Sequence, residues 1–271
     1  MDIKLSVWSS FYVDLSPEDA VLEYERHGYR YCELSDEHSD VLLKRGDAAE
    51  VGARFKDFAD AHGVSFPQGH LFLRAHITRE AERDSVKRQL DLFRAIGVRF
   101  AVLHCDSCID RPELSEDEVI EENVRALRDL IEYIKDTDIV ICLENMSKQS
   151  FALSADRLLY FVRELGEEHL GICLDTGHLN MTEHNSQADF IRTAARNLRA
   201  LHIADNEGER DQHMIPLGRG NVNISEVIAT LREIGYDGLY NLEVPGERRC
   251  PLEIRGFKLD YIKSMFEYLT R

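Results

Sequence analysis

The chain has 271 residues, with 33 basic and 50 acidic side chains, a formal charge of −17 and 44% hydrophobic residues. That length fits one α/β barrel of about 250 residues, and no apolar run approaches the roughly 18 residues of a membrane span. The acidic surplus works against nucleic acid, whose binding depends on Lys and Arg displacing counterions, but says little about a small ligand at a cation.

The N-terminus, Met1-Asp2-Ile3-Lys4-Leu5, runs straight into a strand-like segment without the regions of a secretory signal, which points to the cytoplasm. Apolar runs then alternate with amphipathic segments over residues 1–271 with no linker between them, the pattern of βαβ units in a single domain. Eight strands are expected: Ile3 to Trp8, Tyr29 to Leu34, Val64 to His70, Arg99 to His104, Ile139 to Glu144, Leu170 to Asp175, Leu198 to His202 and Leu239 to Glu243. Helical spacing predicts helices over Asp47 to His62, Glu80 to Ile96, Glu116 to Lys135, Ala155 to Leu165 and about Ile254 to Tyr268. Ser16-Pro17 and Ser115-Glu116-Asp117-Glu118 mark helix starts. A doubly wound open sheet would need a Gly-rich phosphate loop after an early strand, and Trp8-Ser9-Ser10 and Leu34-Ser35-Asp36 have none, so the expected fold is a single-domain (β/α)8 TIM barrel.

Six of the expected strands end in, or lead directly to, residues able to hold a metal. These are His70, His104, Glu144, Asp175 with His178, His202 and Glu243, and Asp211 with His213 follows in the loop after His202. A lone His or acid near a strand end is better explained as a hydrogen-bonded or capping residue. Five of the eleven histidines and four of the fifty acids on one rim, where barrel enzymes hold their active sites, shift the reading to a metal centre. Asp175-Thr176-Gly177-His178 allows a turn that aims both side chains inward, and alternate residues of an extended Asp211-Gln212-His213 could face one side. Glu144 and Glu243 each close an apolar run, and a metal partner resolves the cost of burying them. Mixed imidazole and carboxylate ligands suit Mn, Zn, Co or Fe, in one to three ions, with Glu144 able to bridge.

Trp8, Phe72, Arg74 and Arg210 fall near the same rim, as substrate contacts or as plain packing under loops. Cys105-Asp106-Ser107-Cys108 has C-x-x-C spacing without a second pair and reads as incidental, and no structural disulfide is expected among the six cysteines. His27, His38, His62, His76, His169 and His184 receive no role.

With Cys142-Leu143-Glu144-Asn145, Asp175-x-x-His178, Leu201-His202-Ile203-Ala204-Asp205, Asp211-x-His213-x-x-Pro216-x-Gly218-x-Gly220 and Glu243, nearly the whole chain resembles the xylose-isomerase-like TIM barrels. That superfamily includes sugar isomerases and 3-epimerases, inosose dehydratases and the repair enzyme endonuclease IV. Resemblance to the epimerases implies one divalent ion on Glu144, Asp175, His202 and Glu243, with the two glutamates as acid and base and His178 at the substrate. Resemblance to endonuclease IV implies a three-zinc site that adds His70, His104, His178, Asp211 and His213. The epimerases carry an arginine soon after the strand-seven histidine; position 208 here is Gly and the nearest arginine is Arg210.

The reading that follows is a metal-dependent isomerase or epimerase acting on a small sugar or polyol, phosphorylated or not. Glu144 and Glu243 move the proton, and His178, His70, His104, Arg210 and Trp8 contact substrate. The alternative is a multinuclear zinc phosphodiesterase, and a binding protein without turnover is disfavoured by the intact ligand series. A small carbohydrate is the expected partner, and a homo-oligomer is compatible with the composition.

Overall fold

A computed structural model describes residues 3–147, 150–182 and 186–271. Met1 and Asp2 of the N-terminal run, and His184, fall outside the described residues. The strands are β1 (Lys4–Trp8), β2 (Tyr31–Leu34), β3 (Ser65–His70), β4 (Phe100–Leu103), β5 (Val140–Glu144), β6 (Leu170–Asp175), β7 (Leu198–His202) and β8 (Leu239–Leu242). All pair in parallel in the order β7-β6-β5-β4-β3-β2-β1-β8. A parallel bridge between Ile203 and Leu242, with Ile203 N donating to Asn241 O at 2.8 Å, closes the sheet into a barrel. Eight strand ends therefore share one rim, as expected for a TIM barrel.

The period of two along each strand builds two cores. Outward residues such as Ala101, Leu103, Ile141, Leu143, Ile172, Leu174 and Leu201 join the helices in one continuous apolar layer. Inward residues Val102, Val140, Cys142, Cys173 and Ala200 form a second cluster inside the barrel. Two residues further along the same inward rows stand His104, Glu144, Asp175 and His202, so alternation itself lifts the functional side chains out of the apolar plug.

Helix starts follow their caps. Ser16 accepts from Asp19 N ahead of Pro17–Arg26, and Ser115 and Glu118 form a reciprocal capping box ahead of Glu116–Ile134. The last helix, Leu252–Thr270, is slightly longer than expected at both ends. Strand β2 begins at Tyr31 and not Tyr29, and β4 and β8 stop one residue short of His104 and Glu243, which stand on the first loop residue. A helix over Asp36–Leu43, started by the Ser35 cap, was not legible from spacing. Among the described residues no helix is long and apolar enough to cross a membrane, and all six cysteines are free thiols.

Candidate metal centre

Nine rim side chains meet in three contiguous groups, each with one ligand atom per residue and all such atoms within 4.8 Å of one another: His70, His104 and Glu144; Glu144, Asp175, His202 and Glu243; and His178, Asp211 and His213. Glu144 links them. Its Oε2 lies 3.3 Å from His70 Nε2, 3.1 Å from His104 Nε2 and 3.2 Å from His202 Nδ1, and its Oε1 lies 3.2 Å from His178 Nδ1.

The second group is the deepest. Glu144, Asp175, His202 and Glu243 are all buried, and His202 Nδ1, Asp175 Oδ2 and Glu243 Oε2 are sealed from water without a hydrogen-bond partner. Buried polar atoms are ordinarily satisfied, so three orphans converging from three strands are the structural mark of a cation site. His202 Nδ1 lies 3.2 Å from Glu144 Oε2 and 3.3 Å from Glu243 Oε2, without the angles of a hydrogen bond. The residues present thus fit a divalent cation by donor type, burial and unmet valence.

Local structure aims each ligand. Asp175 ends β6 and caps the helix Thr176–Asn180: its Oδ1 accepts from His178 N at 2.6 Å while Oδ2 stays available. The turn expected of Asp175-x-x-His178 is thus a helix N-terminus. His213 approaches differently from the extended segment foreseen for it, because its φ of 43° lies in the left-handed region, where His is more common than most residues. Its Nε2 still meets Asp211 Oδ2 at 3.0 Å, and Asp211 Oδ2 lies 3.4 Å from His178 Nε2. The loop holding this pair folds back on Asp205, whose Oδ1 accepts from Asn206 N and Val222 N. A Cβ at Gly220 would fall on that carboxylate, so only glycine fits there.

Second partners fix the imidazoles. His70 Nδ1 donates to Leu71 O at 2.6 Å, His178 Nδ1 to Asn145 O at 3.1 Å and His213 Nδ1 to Glu243 O at 2.8 Å, which leaves Nε2 of each toward the centre. His202 is reversed: Nε2 meets Glu33 Oε1 at 2.9 Å and leaves Nδ1. Glu33 is fully buried on β2 and was missed in the sequence, where it sits inside Tyr31-Cys32-Glu33-Leu34 and not at the end of the run. An acid within an apolar strand was the available signal. The buried Cys173 sulfur also lies within 4.8 Å of donor atoms of Glu144 and His202.

Electrostatics reflect the crowding. Burial works against a charged His70, but Glu144 outweighs it and holds the imidazole up at about 9. Burial likewise opposes His213, yet Asp211 and Glu243 raise it to about 10. Burial raises Glu243 to about 8 against the pull of His202 and His213. For Glu144 burial is overcome by His202 and His104, which hold the carboxylate well below its usual range.

Trp8 ends β1 with a buried, unpartnered Nε1, while Arg210 is exposed on its loop and no described contact joins it to the nine. Phe72 and Arg74 follow β3, and Arg74 lines a cavity of about 270 Å³ beside His104 with His76, Asp106, Ser107 and Ser147. His76 Nδ1 lies 3.4 Å from Asp106 Oδ1 and 3.8 Å from Asp110 Oδ1, a grouping that the sequence did not suggest. A larger cavity of about 450 Å³, lined by Lys4, Tyr31, Arg99 and Arg199, opens at the opposite end of the barrel, away from the ligand set.

The molecule is a closed parallel barrel with buried imidazoles and carboxylates gathered at the C-terminal rim, donor types that could hold a metal ion. The chain belongs to the xylose isomerase-like TIM barrel family, whose model matches residues 21–267. An uncharacterised protein of Methanocaldococcus jannaschii is 32% identical over 258 residues, covering 90% of this chain and 84% of that protein. D-psicose 3-epimerase of Enterocloster bolteae is 34% identical over 122 residues, covering 44% of this chain and only 38% of the epimerase. The protein named Probable endonuclease 4 of Mycoplasma pneumoniae is 23% identical over 248 residues, covering 76% and 83%. A crystal structure of a D-psicose 3-epimerase in the presence of D-fructose superposes with a TM-score of 0.81 at 17% identity, covering 99% of both chains, which is a likeness of fold.

Proposed function

We propose that the chain is a divalent-metal-dependent isomerase or epimerase that moves a proton on the carbon beside a carbonyl of a small sugar or polyol. One observation carries this reading: two glutamates from β5 and the end of β8 stand within 3.3 Å of the same His202 nitrogen, with Glu243 Oε2 and the neighbouring Asp175 Oδ2 both lacking a hydrogen-bond partner. Glu144, Asp175, His202 and Glu243 would hold the ion, with Mn, Zn, Co or Fe suited to the donors. When bound, such an ion stabilises negative charge developing on a carbonyl oxygen.

The protein's own groups supply the rest. Glu144 would take the proton from carbon, with Glu243 facing it as the opposing acid. His178, held by Asn145 O and Asp211, steadies a substrate oxygen. His70, His104, Arg210 and Trp8 would contact the remainder, and a cavity of about 270 Å³ opens beside His104. The relationship to a D-psicose 3-epimerase supports the substrate class.

A second reading, a multinuclear phosphodiesterase, is favoured by the two further groups, His70–His104–Glu144 and His178–Asp211–His213, which exceed what one ion needs. The charge of −17 weighs against a DNA substrate. Metal counting on purified protein, paired with NMR detection of solvent deuterium entering a panel of ketoses, tests the choice. Deuterium exchange dependent on one ion per chain is the expected result. Three ions, no exchange and cleavage of DNA containing an abasic site would establish the second reading instead.

A further inference from the structure

We propose that Glu33 is the positioning residue of the centre, acting through His202 to fix which ring nitrogen faces the cation and to strengthen it as a ligand. This rests on the reading that Glu144, Asp175, His202 and Glu243 hold a divalent ion.

Glu33 is fully buried, and its two oxygens have separate duties. Oε1 meets His202 Nε2 at 2.9 Å, and Oε2 accepts from Asn241 Nδ2. Asn241 Oδ1 in turn accepts from Ser6 Oγ at 2.8 Å. The relay Ser6–Asn241–Glu33–His202 joins β1, β8, β2 and β7 just below the rim, so the imidazole is pinned by four strands. With Nε2 committed to Glu33, the nitrogen left for coordination is Nδ1, the atom that stands 3.2 and 3.3 Å from Glu144 and Glu243 and has no hydrogen bond.

The other imidazoles fixed by a second partner lean on neutral backbone carbonyls: Leu71 O, Asn145 O and Glu243 O. Among these four, His202 alone has as that partner a carboxylate from outside the nine candidate ligands. An ionised acceptor makes a stronger hydrogen bond than a neutral one and pushes more electron density to the far nitrogen, which raises its basicity toward a metal. A buried carboxylate is also costly unless compensated, and a cation on the opposite side of the ring compensates it. Glu33 thereby connects β2, which supplies none of the nine ligands, to the centre.

The test compares wild type, Glu33→Gln and Asn241→Ala, using Zn²⁺ as the probe. Affinity is read by chelator competition, His202 by long-range ¹H–¹⁵N spectra of the Zn²⁺-loaded protein, and folding by the melting temperature of EDTA-treated protein. Glu33→Gln keeps the shape and removes the charge; it should weaken the tightest Zn²⁺ by 10–100-fold. Wild-type His202 should show a proton on Nε2 and the metal on Nδ1. Asn241→Ala, which removes the brace and leaves the charge, should weaken Zn²⁺ by a smaller factor than Glu33→Gln. A residue that merely filled space would lower the EDTA-treated melting temperature and leave Zn²⁺ affinity and the His202 spectrum unmoved, and that result overturns the proposal. If Glu33→Gln does not fold, unchanged affinity in Asn241→Ala overturns it equally. Wild type that binds no Zn²⁺ would instead bring down the functional reading itself, an outcome separable from normal binding in both variants.

Discussion

Single side chains in the centre carry distinguishable duties. His104 belongs to the first ligand group alone and is part-exposed, whereas His202 belongs to the deepest group. Changing His104 to Asn should leave the tightest ion in place and remove at most a weaker one, as read by elemental analysis after dialysis. Changing His202 to Asn should remove the tightest. Glu243→Gln should retain the fold and lower kcat by about 10²–10⁴, the usual contribution of a positioned acid or base; a loss below tenfold would exclude Glu243 from proton transfer. Most of these residues were legible because each closes an apolar run. Glu33 was not, since Leu34 follows it and the run ends in leucine, and His76 was not, since it stands on a connecting segment whose fold brings Asp106 and Asp110 to it.

Strands and helices were legible to the extent that local chemistry fixes them. Barrel strands are covered on both faces and read as continuous apolar runs, so all eight could be found. Helix starts could be found where a hydroxyl or carboxylate caps them: Ser115→Ala should cost about 1 kcal/mol in denaturant unfolding, since it breaks the reciprocal cap with Glu118. What local pattern does not contain is the tie between the ends of the chain. Arg255, almost fully buried on the last helix, donates to both oxygens of Asp14 at 2.5 and 2.9 Å and stacks over Tyr12 at 5.3 Å. Partners 241 residues apart give no signal in a window of one element. Arg255→Ala should destabilise by about 1–2 kcal/mol, mostly through loss of the buried, stacked stem, since the Asp14 side of the pair faces solvent.

Across the whole molecule, removal of metal has a defined pH dependence. His70 and His213 are raised from 6.5 to about 9 and about 10, and Glu243 from 4.5 to about 8. The folded, metal-free protein therefore binds more protons than the unfolded chain across neutral and mildly alkaline pH. Its stability should fall as pH rises through these values. Cation binding must displace the same protons, so affinity should rise with pH. The gap in melting temperature between metal-loaded and EDTA-treated protein should widen from pH 6.5 to 9. With free metal 1,000-fold above Kd the loaded form gains about 4 kcal/mol, on the order of 10 °C for a chain of this size. A gap that stays constant or narrows would contradict the assigned proton inventory. The position of Glu144 has one more consequence. A single oxygen of that side chain faces His70, His104 and His202 alike, so the first and second ligand groups are not independent vessels. Whatever fills one re-aims the wall it shares with the other, and stepwise loading should follow a correlated isotherm in which the first arrival sets the terms for its neighbour.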